Sequence, residues 1–406
     1  MAVKHWTFSL ALIASLAMSS KKALADEDLE VLEVDAQSYS TPLKLLPEAK
    51  YPVFADDYDF GGMKLAIERQ LKRFSKKKLT GSIRMGTKTH KLSKAVESLV
   101  AFNSLIAEFE RCASREVKAR CYADFNQEIR KRFDVYAPDL RKSDPRYGDE
   151  NFAFFTGYHT HGIEAKLQPQ GEFKHAIYSN PHSSKLNKSR SQIDFGGALA
   201  GRGLEGAYSN FLFDIYLMHV AGSGKVTVNQ PDGSKKEFYL HYDGTNKQRW
   251  EFIGPYMARK GYIQNGSIPA QRRFLRQNPN LQKEIFSVCP SYVFLKPSLE
   301  PPKGSDMVPV TDGRSIATDN SFYPFKGLLT YIESNRPVET GQYDLEEEKR
   351  DRIPFQPFSR FFLDQDTGGA IEGKARADIY WGSNDYAYFS AMHMENVGKI
   401  FYMMLK

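Results

Sequence analysis

The chain has 406 residues, a formal net charge of +7, 41% hydrophobic and 13% aromatic residues, and three cysteines. That length accommodates two ordinary domains, each with its own core, and the composition excludes a disordered or fibrous chain. The positive charge favours an anionic or carboxylate-bearing partner, but no dense Lys/Arg face interleaved with aromatics is present, which argues against nucleic acid.

At the N-terminus, Lys4 and His5 precede an apolar run from Trp6 to Met18, and Ala23-Leu24-Ala25 offers a small-x-small cleavage site. Residues 1–25 are therefore expected to be a secretory signal peptide, too short to span a bilayer. No cysteine precedes Cys112, so no lipoprotein cysteine is expected, and the location implied is the periplasm. Residues 26–51 show little periodicity and are expected to be an extended lead-in. Residues 60–136 read as largely helical, with Met63, Ile67, Leu71 and Phe74 in one stripe, Leu92, Val96, Leu99, Phe102, Ile106 and Phe109 in a second, and Val117, Cys121, Phe125 and Ile129 in a third. Ordinary packing faces explain all three. The basic cluster around Lys72, Arg73, Lys76, Lys77 and Lys78 reads as a solvated helix end. On one unbroken helix Cys112 and Cys121 would lie about 13 Å apart, too far to bond. Pairing in an oxidising compartment therefore requires a turn between them, for which Ala113-Ser114 is the natural place.

After Pro138 strands and turns dominate. Aromatic, β-prone residues run from Phe152 to Tyr158, and Ile163-Glu164-Ala165 follows. His159 and His161 are expected in a solvated or hydrogen-bonded loop rather than at a metal. A strongly apolar run from Phe211 to Val220 ends at Gly222-Ser223-Gly224, which lacks the ending of a phosphate loop and reads as a turn. Asp232-Gly233 between two β-prone runs predicts a hairpin. Short helices are expected near 255–260 and 270–276, and a strand over 291–295. Pro297, Pro301 and Pro302 mark a domain boundary. The remainder reads as strands, including 327–332 and 399–403.

Within that remainder, 364–385 carries the chemistry. Asp366 precedes Gly368-Gly369, where the backbone can turn sharply. Asp378 lies in Ala377-Asp378-Ile379-Tyr380-Trp381, a β-rich stretch that puts Asp378 and Tyr380 on one face and Ile379 on the other. Between apolar and aromatic neighbours a carboxylate is expected to be hard to ionise, as a general acid near neutral pH requires. The ordinary alternative is that an Asp beside Gly only stabilises a turn.

Asp366-Thr367-Gly368-Gly369-Ala370-Ile371-x-Gly373, then Asp378-x-Tyr380-Trp381-Gly382 and Asp385, resembles the three-aspartate domain of the MltA-type lytic murein transglycosylases. The likeness extends back through Thr156-Gly157-Tyr158, Ser189-Arg190, Gly201-Arg202-Gly203, Asp214, Gly222-Ser223-Gly224-Lys225-Val226, Pro290-Ser291-Tyr292-Val293-Phe294, and Gly313-Arg314-Ser315-Ile316-Ala317 with Asp319. One segment departs: Tyr242, Gly244 and Asn246 keep the family's pattern, but its Gly, His and Pro are lost and its last Tyr becomes Trp250.

The resemblance implies a mainly β fold of the α+β kind: a double-psi β-barrel, with a second β-rich domain inserted at about 159–295, and N-terminal helices. Residues 26–158 would supply the helices and the first part of the barrel, and 296–406 the rest. It implies a lytic exotransglycosylase, a polysaccharide lyase that cleaves the β-1,4 bond between N-acetylmuramic acid and N-acetylglucosamine without water. Asp378 would act as general acid and then base, and Asp366 and Asp385 would orient and hydrogen-bond. Tyr158, Ser223, Tyr242, Asn246, Trp250 and Tyr292 would line the sugar groove, with a place in the core the equal alternative for Tyr158, Trp250 and Tyr292. No cofactor or metal is implied. The implied partners are peptidoglycan strands and other cell-wall enzymes, with the protein itself a monomer. The competing expectations are a hydrolytic muramidase and a non-catalytic peptidoglycan-binding protein, which would keep the groove and lose the acid.

Overall fold

The computed structural model describes residues 32–140, 152–183, 188–230, 232–347, 349–368 and 371–406. The expected signal peptide lies outside these. Six strands close on themselves: Ala153–Tyr158 (β1), Ser315–Thr318 (β2), Leu328–Pro337 (β3), Phe355–Asp366 (β4), Arg376–Tyr380 (β5) and Asn396–Leu405 (β6). The order around the ring is β3, β4, β2, β5, β1, β6 and back to β3. Two of the contacts are parallel, β4 with β2 and β5 with β1, and the others are antiparallel. Closure removes free strand edges, and the expected β-barrel is what forms. Phe133–Pro138 continues the sheet beyond β6, and Leu43–Leu45 pairs in turn with Phe133–Pro138.

The region expected to be helical folds as Met63–Phe74, Ser93–Ala113 and Lys118–Arg132. Between the first two, however, lie three short strands, Lys77–Leu79, Ser82–Met85 and Lys88–Lys91. The lead-in supplies partners for the first two, Glu33–Asp35 and Ser38–Thr41, through parallel pairings that no local pattern announces, and the third pairs antiparallel with the second. The basic cluster is only partly a solvated helix end: Lys77 lies 2.6 Å from Asp306 and Arg73 lies 2.7 Å from Glu33. The chain does turn after Ala113, and Cys112 and Cys121 form a disulfide with their Cα atoms 5.7 Å apart. An aromatic cluster of Phe60, Phe102, Phe109 and Phe125 packs on Phe361 of β4. Beside it the fully buried Arg314 grips Asp56 through two nitrogens, at 2.6 and 2.8 Å. This forked, fully hydrogen-bonded geometry is what makes a buried pair tolerable.

A second apolar cluster draws all its buried members from residues 163–295. Its sheet contains Gly162–Glu164, Ser223–Asn229, Lys235–Thr245 and Val293–Ser298, with the expected hairpin in register Lys225 opposite Tyr239. Pro297, expected to begin a linker, pairs within the last strand. The apolar run after Phe211 is a helix, Leu212–Ala221, buried over most of its length. Gly222 ends it in the left-handed conformation (φ 69°), and a Cβ on Gly224 would meet Met218 at 2.5 Å. The Gly-x-Gly thus turns the chain and packs a strand on a helix. Among the described residues no helix is long and apolar enough to cross a membrane.

Candidate active site

Strand β5 places Ala377 and Ile379 in the barrel core. Alternation therefore sends Arg376, Asp378 and Tyr380 to the opposite face. Parallel register with β1 sets Arg376 beside Phe154, Asp378 beside Thr156, and Tyr380 beside Tyr158. This ladder builds the site. The Thr156 hydroxyl donates to Asp378 Oδ1, and Arg376 Nη1 donates to the same oxygen at 2.7 Å. The Asp378 side chain remains 21% exposed. The apolar setting expected for it is therefore not what forms. The residues flanking it in sequence point the other way, and its actual neighbours are a hydroxyl and a guanidinium.

Tyr158 stacks obliquely on Tyr380, with ring centroids 5.1 Å apart, and its phenol donates to Asp366 Oδ2 at 3.1 Å. Burial first, and then the Asp366 charge, push this phenol well above its ordinary range, so it remains a donor. Asp366, at the end of β4, also accepts the amides of Ser305 and Thr367, each at 2.8 Å. Burial raises its pKa above the usual carboxylate value against the opposing pull of those hydrogen bonds. Beneath it the fully buried Asp364 is raised to about 6 by burial, although Lys326 (3.1 Å) and Thr318 (2.8 Å) pull the other way.

Asp385 is the first residue of the helix Asp385–His393, whose N-cap Asn384 accepts the Ala387 amide. Asp385 is exposed, and its carboxylate has no hydrogen-bond partner among the described residues. A carboxylate in a first helical turn is favoured by the helix dipole. The helix follows β5 directly, and the Trp381 amide to Tyr158 carbonyl and Thr160 amide to Gly382 carbonyl bonds tie its start to β1.

The residues expected to line a sugar groove divide. Tyr158 is in the site. Tyr242 is 55% exposed, with its Cβ 4.0 Å from where a Cβ on Gly222 would lie, and Ser223 is the next residue after that glycine. Asn246 is buried, its amide donating to the carbonyls of Lys188 and Pro290 and its oxygen accepting the Tyr292 amide, so it clamps loops rather than facing outward. Tyr292 is fully buried beneath Arg190, 5.3 Å from its ring. Trp250 is half-buried and stacks on Tyr216 at 5.6 Å. Trp250 thus packs against the second core, and Tyr292 belongs to a smaller third cluster with Tyr178 and Phe294. His161, expected in a loop, is buried and bonded to Asp214. Thr156 enters the sequence reading only through its motif and Tyr380 through the strand face it shares with Asp378; Arg376 does not enter it. Arg376 carried a usable signal, since it stands two residues from Asp378 on the same strand face.

Family models match on both sides of this geometry: an MltA specific insert domain over residues 154–296 and a 3D domain over 314–404. Together these matches support kinship with the MltA-type lytic transglycosylases. A membrane-bound lytic murein transglycosylase A of Escherichia coli (strain K12) is 33% identical over 254 residues, and one of Vibrio cholerae is 30% identical over 262. The matched stretches cover 61% and 62% of this chain and 64% and 65% of those relatives, so the chain spans less than two thirds of their length in alignment. Among solved structures, the lytic transglycosylase LtgG of Burkholderia pseudomallei superposes with a TM-score of 0.58 at 21% identity, covering 91% of this chain and 97% of that one. E. coli MltA with bound chitohexaose gives 0.57 at 24% identity, covering 90% and 95%. These likenesses establish that the family's fold is shared.

Proposed function

We propose that this protein is a lytic transglycosylase that cleaves the β-1,4 bond between N-acetylmuramic acid and N-acetylglucosamine in peptidoglycan, leaving 1,6-anhydro ends. The supporting observation is a pair of aspartates that both hydrogen-bond to β1: Asp378 of β5, held by Thr156 and Arg376, and Asp366 of β4, held by Tyr158. Protonated Asp378 gives its proton to the departing glycosidic oxygen as the C1–O bond breaks. The carboxylate then takes the proton of the muramic acid's own 6-hydroxyl as that oxygen bonds to C1. No water is consumed and no second base is needed, because the nucleophile is already on the substrate. Asp366 and Asp385 orient the reacting sugars, and Tyr158, Ser223 and Tyr242 contact the glycan. In this reading residues 159–295 form an inserted domain, action is exo, the protein is a monomer, and the location is the periplasm. The disulfide supports an exported location, since such bonds persist in oxidising compartments.

The test is to digest purified peptidoglycan and analyse the new ends. Anhydro ends from the parent, with Asp378→Asn slower by at least roughly 10²-fold, are the expected result. Reducing ends indicate hydrolysis, binding without cleavage indicates a wall-binding module, and a fully active Asp378→Asn refutes the role given to that residue.

A further inference from the structure

We propose that Arg376 is a specificity-determining residue that binds a carboxylate of the glycan strand. The inference rests on the transglycosylase reading above and deepens it. Arg376 meets protein with one nitrogen only: Nη1 donates to Asp378 at 2.7 Å and to the Ala377 carbonyl at 3.2 Å. Among the described residues Nε and Nη2 have no hydrogen-bond partner, and Asp378 is the one carboxylate within 4.0 Å. The guanidinium lies over the Phe154 ring, 5.1 Å from its centroid, which supports its face and leaves its edge open. The side chain is 15% exposed, so a ligand can reach that edge. Nε–H and Nη2–H form the fork that matches a carboxylate in two parallel bonds. A carboxylate seated there lies beside the Asp378 carboxyl. Asp378 already occupies Nη1, so the substrate's acid is placed next to the proton donor without displacing it.

Two parts of the substrate carry this chemistry: the stem peptide, and the lactyl group of muramic acid where the stem has been removed. The experiment measures kcat and KM on stem-bearing strands, on the same strands methyl-esterified at their carboxylates, and on strands freed of stems by an amidase. For the parent, esterification is expected to raise KM about tenfold or more, the scale of a charge-assisted hydrogen bond. R376Q is expected to lose that discrimination, with a high KM on both forms, and R376K to keep part of it because it retains the charge without the fork. A general fall in kcat for R376Q on all substrates is the separate effect of releasing Asp378. The stem-free strands assign the source: a lowered KM points to the lactyl carboxylate, which removal of the stem exposes, and a raised one to the stem. A parent indifferent both to esterification and to the lactyl carboxylate that stem removal exposes, or an R376Q or R376K variant with the parent's full preference, overturns the inference. A parent that yields no anhydro ends on any substrate overturns the underlying reading instead.

Discussion

At the scale of single residues, the candidate site consists of carboxylates in contrasting settings. Asp378 meets a cation and stays partly open, Asp385 stands exposed at a helix start, and Asp366 and Asp364 are raised by burial. Asp364 makes the contrast measurable. Its pKa is about 6 in the fold against an ordinary 3.8. A raised carboxyl binds its proton more tightly folded than unfolded, so its contribution to stability is fully present below about pH 4 and is lost as pH rises to about 6. A two-unit shift corresponds to on the order of 3 kcal/mol. Asp364→Asn removes the titration while keeping the shape. Relative to the parent, the variant is therefore expected to gain stability between pH 4 and 7, on top of a pH-independent change from the rebuilt hydrogen bonds to Thr318 and Lys326. Denaturant unfolding at both pH values measures this, and a parallel pH dependence for the two proteins would exclude the assignment. The sequence made Asp366 and Asp378 legible because motif and alternation are local. It did not reveal Asp364 as buried, because Lys326 and Thr318 reach it only through barrel closure.

At the scale of elements, helices and hairpins with a clean period were readable, and long-range partners were not. Asp378 and Thr156 are 222 residues apart in sequence; no local pattern states that their strands run side by side in parallel. The helices Leu212–Ala221 and Asp385–His393 were missed because both are buried nearly all round, which leaves no polar face to set a period. Gly157 shows what the elements demand of one another. It lies in β1 between Thr156 and Tyr158, and a Cβ there would stand 2.7 Å from the Trp381 ring and 3.1 Å from Ala391 Cα of the helix Asp385–His393. The Thr-Gly-Tyr motif thus carries a packing requirement: the helix can sit on β1 only where a side chain is missing. Gly157→Ala is expected to destabilise by about 1–3 kcal/mol and to lower kcat, because it pushes Trp381 and the helix away from the strand pair that holds Asp378 and Tyr158. Thermal unfolding with product analysis checks this; an unchanged Tm would mean that the helix yields freely.

At the scale of the whole molecule, a buried ionic cluster ties the second core to the helix that begins at Asp385. Arg272 donates to Asp214 at 2.6 Å, Asp214 faces His161 at 3.2 Å on the connection leaving β1, and the Arg272 guanidinium lies 5.4 Å from the centre of the Tyr388 ring. Tyr388 belongs to the helix that begins at Asp385, so one arginine spans the second core and the element carrying the third aspartate. Burial disfavours the Asp214 charge, yet His161 and Arg272 together hold its pKa below the ordinary value. A lowered carboxyl contributes stability above its unfolded pKa that is lost as pH falls, so this junction is expected to weaken first in acid. Arg272→Met leaves Asp214 buried without its cation and is expected to cost about 3–5 kcal/mol, whereas Arg272→Met with Asp214→Leu removes both charges and recovers most of that. If the cluster also sets the position of Asp385, the double variant will be stable and still show a raised KM, because the guanidinium no longer rests on Tyr388. A double variant with both parental stability and parental KM would show that packing alone seats the helix and that the charges at the junction have no part in aligning the site.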